Sequence, residues 1–282
     1  MIQDERKNYP FDLVSVFSDV PYKGNPVYVV HLNSAIGDGL KAELARHLRL
    51  SEVTFIENVA DASGELREYR VDVYNPQGRM EFAGHPLLGT AASIGRRYGV
   101  SRGVMNTGTR LVPFEYWPQQ SGLCRIEVPP FRRRSYMRSA DLADVVDAPM
   151  QSRCFPIYDV GPRHVLVELA NKDAVEHVSV DYEALRSFKD IALHCFAWDG
   201  DGVENRMFSP AYGVYEDAGT GSVVAPFLHE ARLYQPDRTS LLIRQGTFIG
   251  SECRMRATWQ VDEEKYLIEG QTVKCGEGWL CL

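Results

Sequence analysis

Apolar and polar residues alternate along most of the chain, the two-residue period of strands with one buried face. The pattern predicts strands at residues 11–17, 27–30, 51–56 and 67–74 in the first half. In the second half it predicts strands at 124–128, 155–160, 164–168 and 191–198. Residues 207–215 read as one extended apolar run, and the tail from Leu241 to Leu282 reads as strand-like. Helical spacing replaces alternation at three places. Leu40, Leu44, His47 and Leu48 mark a helix over 38–48 with Asp38 as its N-cap. Residues 86–98 form a second helix, with Pro86 in its first turn and Gly99 just past its end. Residues 222–234 form a third, confined or kinked by Pro226. Turns fall at Gly24-Asn25-Pro26 and at Asn75-Pro76-Gln77-Gly78.

Each half therefore places many strands around one notable helix, and each such helix is entered through a glycine-containing turn. The turns are Phe82-Ala83-Gly84-His85-Pro86 and Glu216-Asp217-Ala218-Gly219-Thr220-Gly221-Ser222. This is a weak internal duplication. The expected boundary is the Pro- and Arg-rich stretch 129–134, giving an N-terminal lobe over 1–128 and a C-terminal lobe over 129–282. The last strand is expected to pack back onto the first lobe.

Composition narrows the function classes. The chain has 282 residues, 44% hydrophobic and 24% charged, enough apolar material for a substantial core. Net charge is -7, and the densest basic run is Arg132, Arg133 and Arg134, read as a solvated loop. Nucleic-acid binding is disfavoured, because phosphate recognition needs concentrated positive charge. The first ten residues are charged and carry no signal-type apolar stretch, and no apolar run approaches a bilayer span. The expectation is a cytoplasmic protein with no membrane partner. The six cysteines are scattered, with no C-x-x-C pair, as reduced and mostly structural thiols are. Cys195 follows His194 in a buried strand, where neighbours face opposite sides, which disfavours a thiol–imidazole pair. Phosphate-binding, dinucleotide and hydrolase-elbow motifs are missing, as is any metal-ligand spacing. Any chemistry is then expected to use protein acid–base groups without a cofactor or metal.

Three segments could carry it. The turn at Asp217 leads into a helix, whose free backbone N–H groups and dipole favour an anion. Gly219 and Gly221 let the backbone approach a ligand, while Thr220 and Ser222 can cap the helix or donate to a carboxylate. The turn at His85 has the same design, with Gly84 opening the backbone, His85 at the cap and Pro86 starting the helix. Glu52 lies between helix and strand with apolar flanks. Partial burial there would raise its pKa and suit it to work alternately as base and acid. The same residues also read as an ordinary capped turn, a structural histidine at a helix start and a solvent-facing glutamate. Residue types alone leave those alternatives open.

Taken together, the segments resemble the phenazine-biosynthesis isomerase family of PhzF-like proteins. The matching stretches are Gly24-Asn25-Pro26, Leu50-Ser51-Glu52-Val53-Thr54-Phe55, Phe82-Ala83-Gly84-His85-Pro86-Leu87-Leu88-Gly89-Thr90, Gly161-Pro162-Arg163-His164-Val165 and residues 207–222. They follow the family's order and span nearly the whole chain. The resemblance implies an α+β fold of two pseudo-symmetric, barrel-like lobes, each a sheet wrapped around a central helix, as in diaminopimelate epimerase. It also implies a site between the lobes, a homodimer, no cofactor and a small carboxylate substrate. By analogy that substrate is trans-2,3-dihydro-3-hydroxyanthranilate, isomerised to a ketone. Glu52 matches the family's proton-shuttling glutamate, and His85 and Asp217 match its polar partners. Ser222 matches a serine near the substrate carboxylate, and Gly84 and Gly221 match glycines that present backbone N–H groups. Two positions depart. Gly219 stands where alanine is common, an exchange expected to be harmless, and Arg79 stands where the family usually has glutamate, in a loop expected beside the site. Other amino or hydroxy acids remain alternative substrates, as does a non-catalytic carboxylate-binding role. Epimerases of this fold use two opposed cysteines, and neither glycine-rich turn here contains one.

Overall fold

A computed structural model describes residues 7–57, 67–189 and 191–282. The charged N-terminal segment considered above lies partly outside those residues. Eighteen strands form one continuous hydrogen-bonded sheet. Its first half runs, in spatial order, Thr272–Cys281, Asn8–Val16, Asn25–Leu32, Val53–Glu57, Glu68–Asn75, Arg102–Asn106, Leu111–Trp117 and Leu123–Glu127. The second half runs Arg132–Ser135, Pro156–Asp159, Arg163–Glu168, Ala192–Asp199, Gly202–Ser209, Ser240–Gln245, Cys253–Gln260 and Lys265–Gly270. In both halves the third and fifth junctions are parallel and all others antiparallel. The internal duplication is thus a repeated pairing order, and it bears out the α+β fold of two pseudo-symmetric halves. Lys265–Gly270 pairs with Leu123–Glu127 and stitches the halves together.

Parallel neighbours cannot be joined by a tight turn and need a crossover. In each half the second crossover is the central helix: Gly84–Tyr98 in the first, Val224–Tyr234 in the second. The first central helix is buried continuously from Gly84 to Gly95. A helix can be apolar or small all round only when a sheet encloses it. Small residues permit that enclosure. A Cβ on Gly89 would stand 2.4 Å from Val27 Cγ1, and one on Gly95 would stand 2.2 Å from the Tyr116 ring. In the second half Phe227 meets the Phe196 ring edge-on at 4.9 Å. Burying such a side chain contributes roughly 2–3 kcal/mol. Both helices share one core cluster, to which strands of both halves contribute.

Several local expectations are corrected. Gly37, in extended conformation, is the N-cap of Asp38–Leu48, so Asp38 is its first helical residue and interacts with the helix dipole from there. The extended run at 207–215 breaks into the end of Gly202–Ser209, a 3-10 turn at Pro210–Tyr212 and the strand Val214–Asp217. Proline fixes the φ that starts that turn. Pro226 does confine the regular part, which begins only at Val224; as the third residue of that helix the proline loses no intrahelical N–H bond. The Arg132–Ser135 segment is a strand and not a loop, paired with Pro156–Asp159. Its alternation sends Arg133 to Glu230 at 2.7 Å, while Arg132 and Arg134 face the cleft described below. Lys41, in the helix Asp38–Leu48, is enclosed and neutralised by Asp72 at 2.5 Å and Glu57 at 3.1 Å. Cys195 and His194 do face opposite sides: Cys195 lies in a separate core cluster, and the His194 ring packs against Phe227. Among the described residues no helix is long and apolar enough to cross a membrane.

Candidate active site

The start of the first central helix meets the 3-10 turn Gly221–Val223, which runs directly into the second. A Cβ on Gly84 would stand 2.6 Å from the carbonyl carbon of Gly221, and one on Gly221 would stand 2.8 Å from the backbone nitrogen of His85. Only hydrogen at both positions lets the backbones approach this closely. Each helix start carries the equivalent of about half a positive charge and a set of unpaired N–H groups. Two such ends facing one another repel unless negative charge sits beside them. Asp217 supplies part of that charge, and an anionic ligand can supply the rest.

A cleft of about 840 Å³ opens at this junction. Glu52, Gly84, His85, Asp217, Thr220, Gly221 and Ser222 all line it, so the seven candidate residues are brought to one place. Both halves contribute. Glu52 immediately precedes the strand Val53–Glu57, His85 is the second residue of the first central helix, and Asp217 ends the strand Val214–Asp217. His85 is therefore inside the helix and not at its cap, which is Ala83.

Glu52 Oε2 lies 3.4 Å from His85 Nε2, and neither atom has a hydrogen-bond partner within the protein. Burial, and then the charge of Asp217, push the Glu52 carboxyl up to about 8. Burial pushes the His85 imidazole down to about 3, so its ring is neutral. Asp217 is also raised by burial, an effect opposed by hydrogen bonds from Thr220 and Asn25. Thr220 Oγ1 donates to Asp217 Oδ2 at 2.6 Å, and Asn25 Nδ2 donates to Asp217 Oδ1 at 2.9 Å. Asn25 Nδ2 also donates to the Gly219 carbonyl oxygen at 2.9 Å and stands 3.3 Å from His85 Nδ1. The result is a raised carboxyl beside a neutral imidazole, with a fixed second carboxyl behind them.

Other expectations meet different geometry. Neither Thr220 nor Ser222 caps the second helix through its side chain. Their hydroxyls are engaged elsewhere, Thr220 with Asp217 and Ser222 with His164 Nε2 at 2.9 Å. Gly219 fits its place, and the alanine common there would be crowded in this chain: a Cβ would stand 2.5 Å from Cys253 Sγ. The loop containing Arg79 does reach the cleft, through Asn75, Met80 and Glu81. Arg79 itself instead bonds Asp72 Oδ1 at 2.6 Å and the Thr107 carbonyl oxygen at 2.8 Å. Asn25, His164, Arg110, Arg132 and Arg134 are site residues the sequence reading did not single out. Asn25 and His164 lay within matching segments, which was the available signal. Among the described residues no three His, Cys, Asp or Glu side chains converge as a metal site.

Comparison with known proteins identifies the family and the fold. The PhzC-PhzF family, described as phenazine biosynthesis-like protein, matches residues 14–278. The chain is 36% identical to a trans-2,3-dihydro-3-hydroxyanthranilate isomerase of Pseudomonas aeruginosa over 251 residues, covering 87% of this chain and 88% of that protein. It is 33% identical to the enzyme of the same name from Pseudomonas fluorescens over 277 residues, covering 96% and 98%. The fold is similar to that of a PhzF-family phenazine biosynthesis protein of Bacillus anthracis, with TM-score 0.80 at 18% identity over 98% of this chain and 100% of that chain. A hydroxyproline epimerase of Agrobacterium vitis shares the fold more distantly, with TM-score 0.63 at 10% identity over 98% and 93%.

Proposed function

The chain belongs to the PhzC-PhzF family of phenazine biosynthesis-like proteins, and from that premise we propose that it is an isomerase acting on trans-2,3-dihydro-3-hydroxyanthranilate by proton transfer through Glu52. The observation that carries the reading is the unpartnered Glu52 carboxyl oxygen facing neutral His85 at the junction of two helix starts. The substrate carboxylate docks on the free backbone N–H groups at Gly221 and Ser222, with the Ser222 hydroxyl as a further donor. Ionised Glu52 removes the proton from the ring carbon bearing the hydroxyl. Charge spreads over the ring, steadied by the two helix starts, while His85 and Asp217 hold the ring substituents. Protonated Glu52, its proton partly exchanged with solvent, then delivers a proton to a distant ring carbon on the same face, and the enol relaxes to the ketone. One carboxyl serves both steps because base and acid act in sequence. General acid–base catalysis contributes roughly 10²–10⁴-fold, and positioning in the cleft supplies the remainder.

The reaction needs no group beyond the protein's own side chains, so the reading includes cofactor independence. It also carries a homodimer in the cytoplasm; light scattering after size-exclusion chromatography reads the first of these. The test of the main reading is direct. The dihydro acid is mixed with the protein in D2O, and its ultraviolet absorbance is followed. Consumption with deuterium entering at carbon supports the reading, and an unchanged substrate refutes it.

A second reading keeps the proton transfer and changes the acid. Arg110, Arg132 and Arg134 also line the cleft, which favours a substrate with a second anionic group. Parallel assays with small amino and hydroxy acids, including dicarboxylates, separate the two.

A further inference from the structure

Behind Ser222 a row of enclosed polar side chains crosses four strands of the second half. Ser222 Oγ lies 2.9 Å from His164 Nε2, and His164 Nδ1 lies 3.0 Å from His194 Nε2. His194 Nδ1 lies 3.1 Å from Asn205 Nδ2, which lies 2.7 Å from Gln245 Oε1. Gln245 then closes on the loop that carries Asp217. Its Oε1 accepts from the Thr220 backbone N–H at 3.3 Å, and its Nε2 donates to the Asp217 carbonyl oxygen and to Thr220 Oγ1, both at 2.9 Å. His164, His194, Asn205 and Gln245 are all buried, each at 1% exposure or less.

The two backbone contacts determine every proton in the row. A backbone N–H only donates and a carbonyl only accepts, so together they set the orientation of the Gln245 amide. Its oxygen faces Asn205, so the Asn205 atom there is the amide nitrogen. Turning that amide would press two carbonyl oxygens together at 2.7 Å. Asn205 Oδ1 is left buried without a partner, which shows that the nitrogen's contacts decide its orientation. The second Asn205 hydrogen goes to His194 Nδ1, which therefore accepts. A neutral imidazole has one donor and one acceptor, so His194 Nε2 carries hydrogen and donates to His164 Nδ1. The same rule places hydrogen on His164 Nε2, which donates to Ser222 Oγ. Burial holds both rings neutral, with His164 pushed down to about 3. Ser222 Oγ thus accepts from behind, and since Ser222 lines the cleft its own hydrogen is available to a ligand there.

We propose that Gln245, Asn205, His194 and His164 are positioning residues that turn the Ser222 hydroxyl outward, as a fixed donor to the carboxylate of the ligand. The ligand's identity rests on the function proposed above, while the proton order of the row does not.

Nitrogen-15 NMR of histidine-labelled protein without ligand reads the tautomers directly. The expected result is hydrogen on Nε2 of both His164 and His194; hydrogen on Nδ1 of either overturns the proposal. Calorimetry with anthranilate as the carboxylate probe supplies the second arm. Ser222→Ala is expected to weaken its Kd by about ten- to a hundredfold, the span of a hydrogen bond to a charged group. His164→Phe is expected to give a comparable loss in the parent and almost none in the Ser222→Ala background. His164→Gln, whose amide nitrogen can stand where Nε2 stands, is expected to recover most of the affinity. An undiminished His164→Phe effect in the Ser222→Ala background overturns the proposal. A protein that shows the tautomers and the coupling, yet leaves the dihydro acid unchanged, refutes the substrate reading alone.

Discussion

Glu52 Oε2 and His85 Nε2 face each other across 3.4 Å, and no other protein group satisfies either atom. With the carboxyl raised to about 8 and the imidazole lowered to about 3, the free protein near neutral pH holds an uncharged acid beside an uncharged ring. The base in the proposed reaction is the ionised minority of Glu52. Its share grows tenfold per pH unit below the pKa, and kcat/KM reports the free enzyme. The expected profile therefore rises with pH and levels off around 8. Steady-state assays from pH 5.5 to 9.5 check this, and a limb ending near pH 4.5 would place the base in an ordinary, solvated environment.

Replacing Glu52 separates catalysis from stability. Glu52→Gln keeps the shape and removes the titrating group, so turnover is expected to fall by roughly 10²–10⁴-fold. Stability should move the opposite way. The folded pKa lies above the unfolded value near 4.5, so the native state holds the proton more tightly. The wild-type protein is then at its best below pH 4.5 on this account, and loses stability as pH rises towards 8. The substituted protein has no such loss. Thermal melts should show Glu52→Gln gaining on wild type from pH 5 to pH 8 and holding a constant lead above that. Equal melting temperatures at pH 9 would contradict the burial of this carboxyl.

What was legible in the chain, and what was not, follows from the range of the interactions. The first central helix is legible because burial on all sides leaves an unbroken run of small and apolar residues from Pro86 to Gly95, with Gly99 at φ 66° just past the helix end. Side-chain preference points to Asp38 as the cap, although the extended backbone at Gly37 decides it. Arg132, Arg133 and Arg134 read as a loop because their strand exists only through pairing with Pro156–Asp159. Glu52 was one carboxylate among many until the family resemblance singled it out. His194, Asn205 and Gln245 carry no local signal, and His164 carries only its place in a matching segment, since their partners lie on different strands. Their meaning appears only once the sheet sets them in a row.

The Gly84–Gly221 contact is expected to tolerate no side chain. Alanine at a helix start gains up to about 1 kcal/mol in propensity over glycine, and 0.4–1 kcal/mol through the unfolded chain. Against this, a Cβ on Gly84 would stand 2.6 Å from one backbone carbon and 2.8 Å from the Ser222 nitrogen, and backbone atoms cannot swing aside. Overpacking typically costs about 1–3 kcal/mol, so the steric loss outweighs the gain. Gly84→Ala and Gly221→Ala should each lower the melting temperature. They should also lower kcat/KM by about 10²-fold or more, because the helix starts are displaced relative to Glu52. A variant that melts higher than wild type and keeps full activity would show that the helices do not abut as described.

Gly219 and Cys253 form a matched pair, and their coupling can be measured. A Cβ at Gly219 would stand 2.5 Å from Cys253 Sγ, 3.0 Å from its Cβ and 3.1 Å from the Phe17 ring. Cys253 is fully enclosed, so its sulfur has nowhere to retreat. Gly219→Ala alone is expected to push the Asp217–Thr220 loop toward the cleft and to destabilise by about 1–3 kcal/mol. Cys253→Ala alone should cost little more than the loss of one small buried group. In the double variant the alanine methyl occupies space the sulfur has left, so the two effects should not add; the coupling for such contacting groups is on the order of 0.5–3 kcal/mol. Denaturant melts of the four proteins give the cycle, and turnover of the same set shows whether the loop has returned. Additive losses would mean that the loop relaxes away from Cys253 by another route. In that case the glycine is no adjustment to the cysteine behind it.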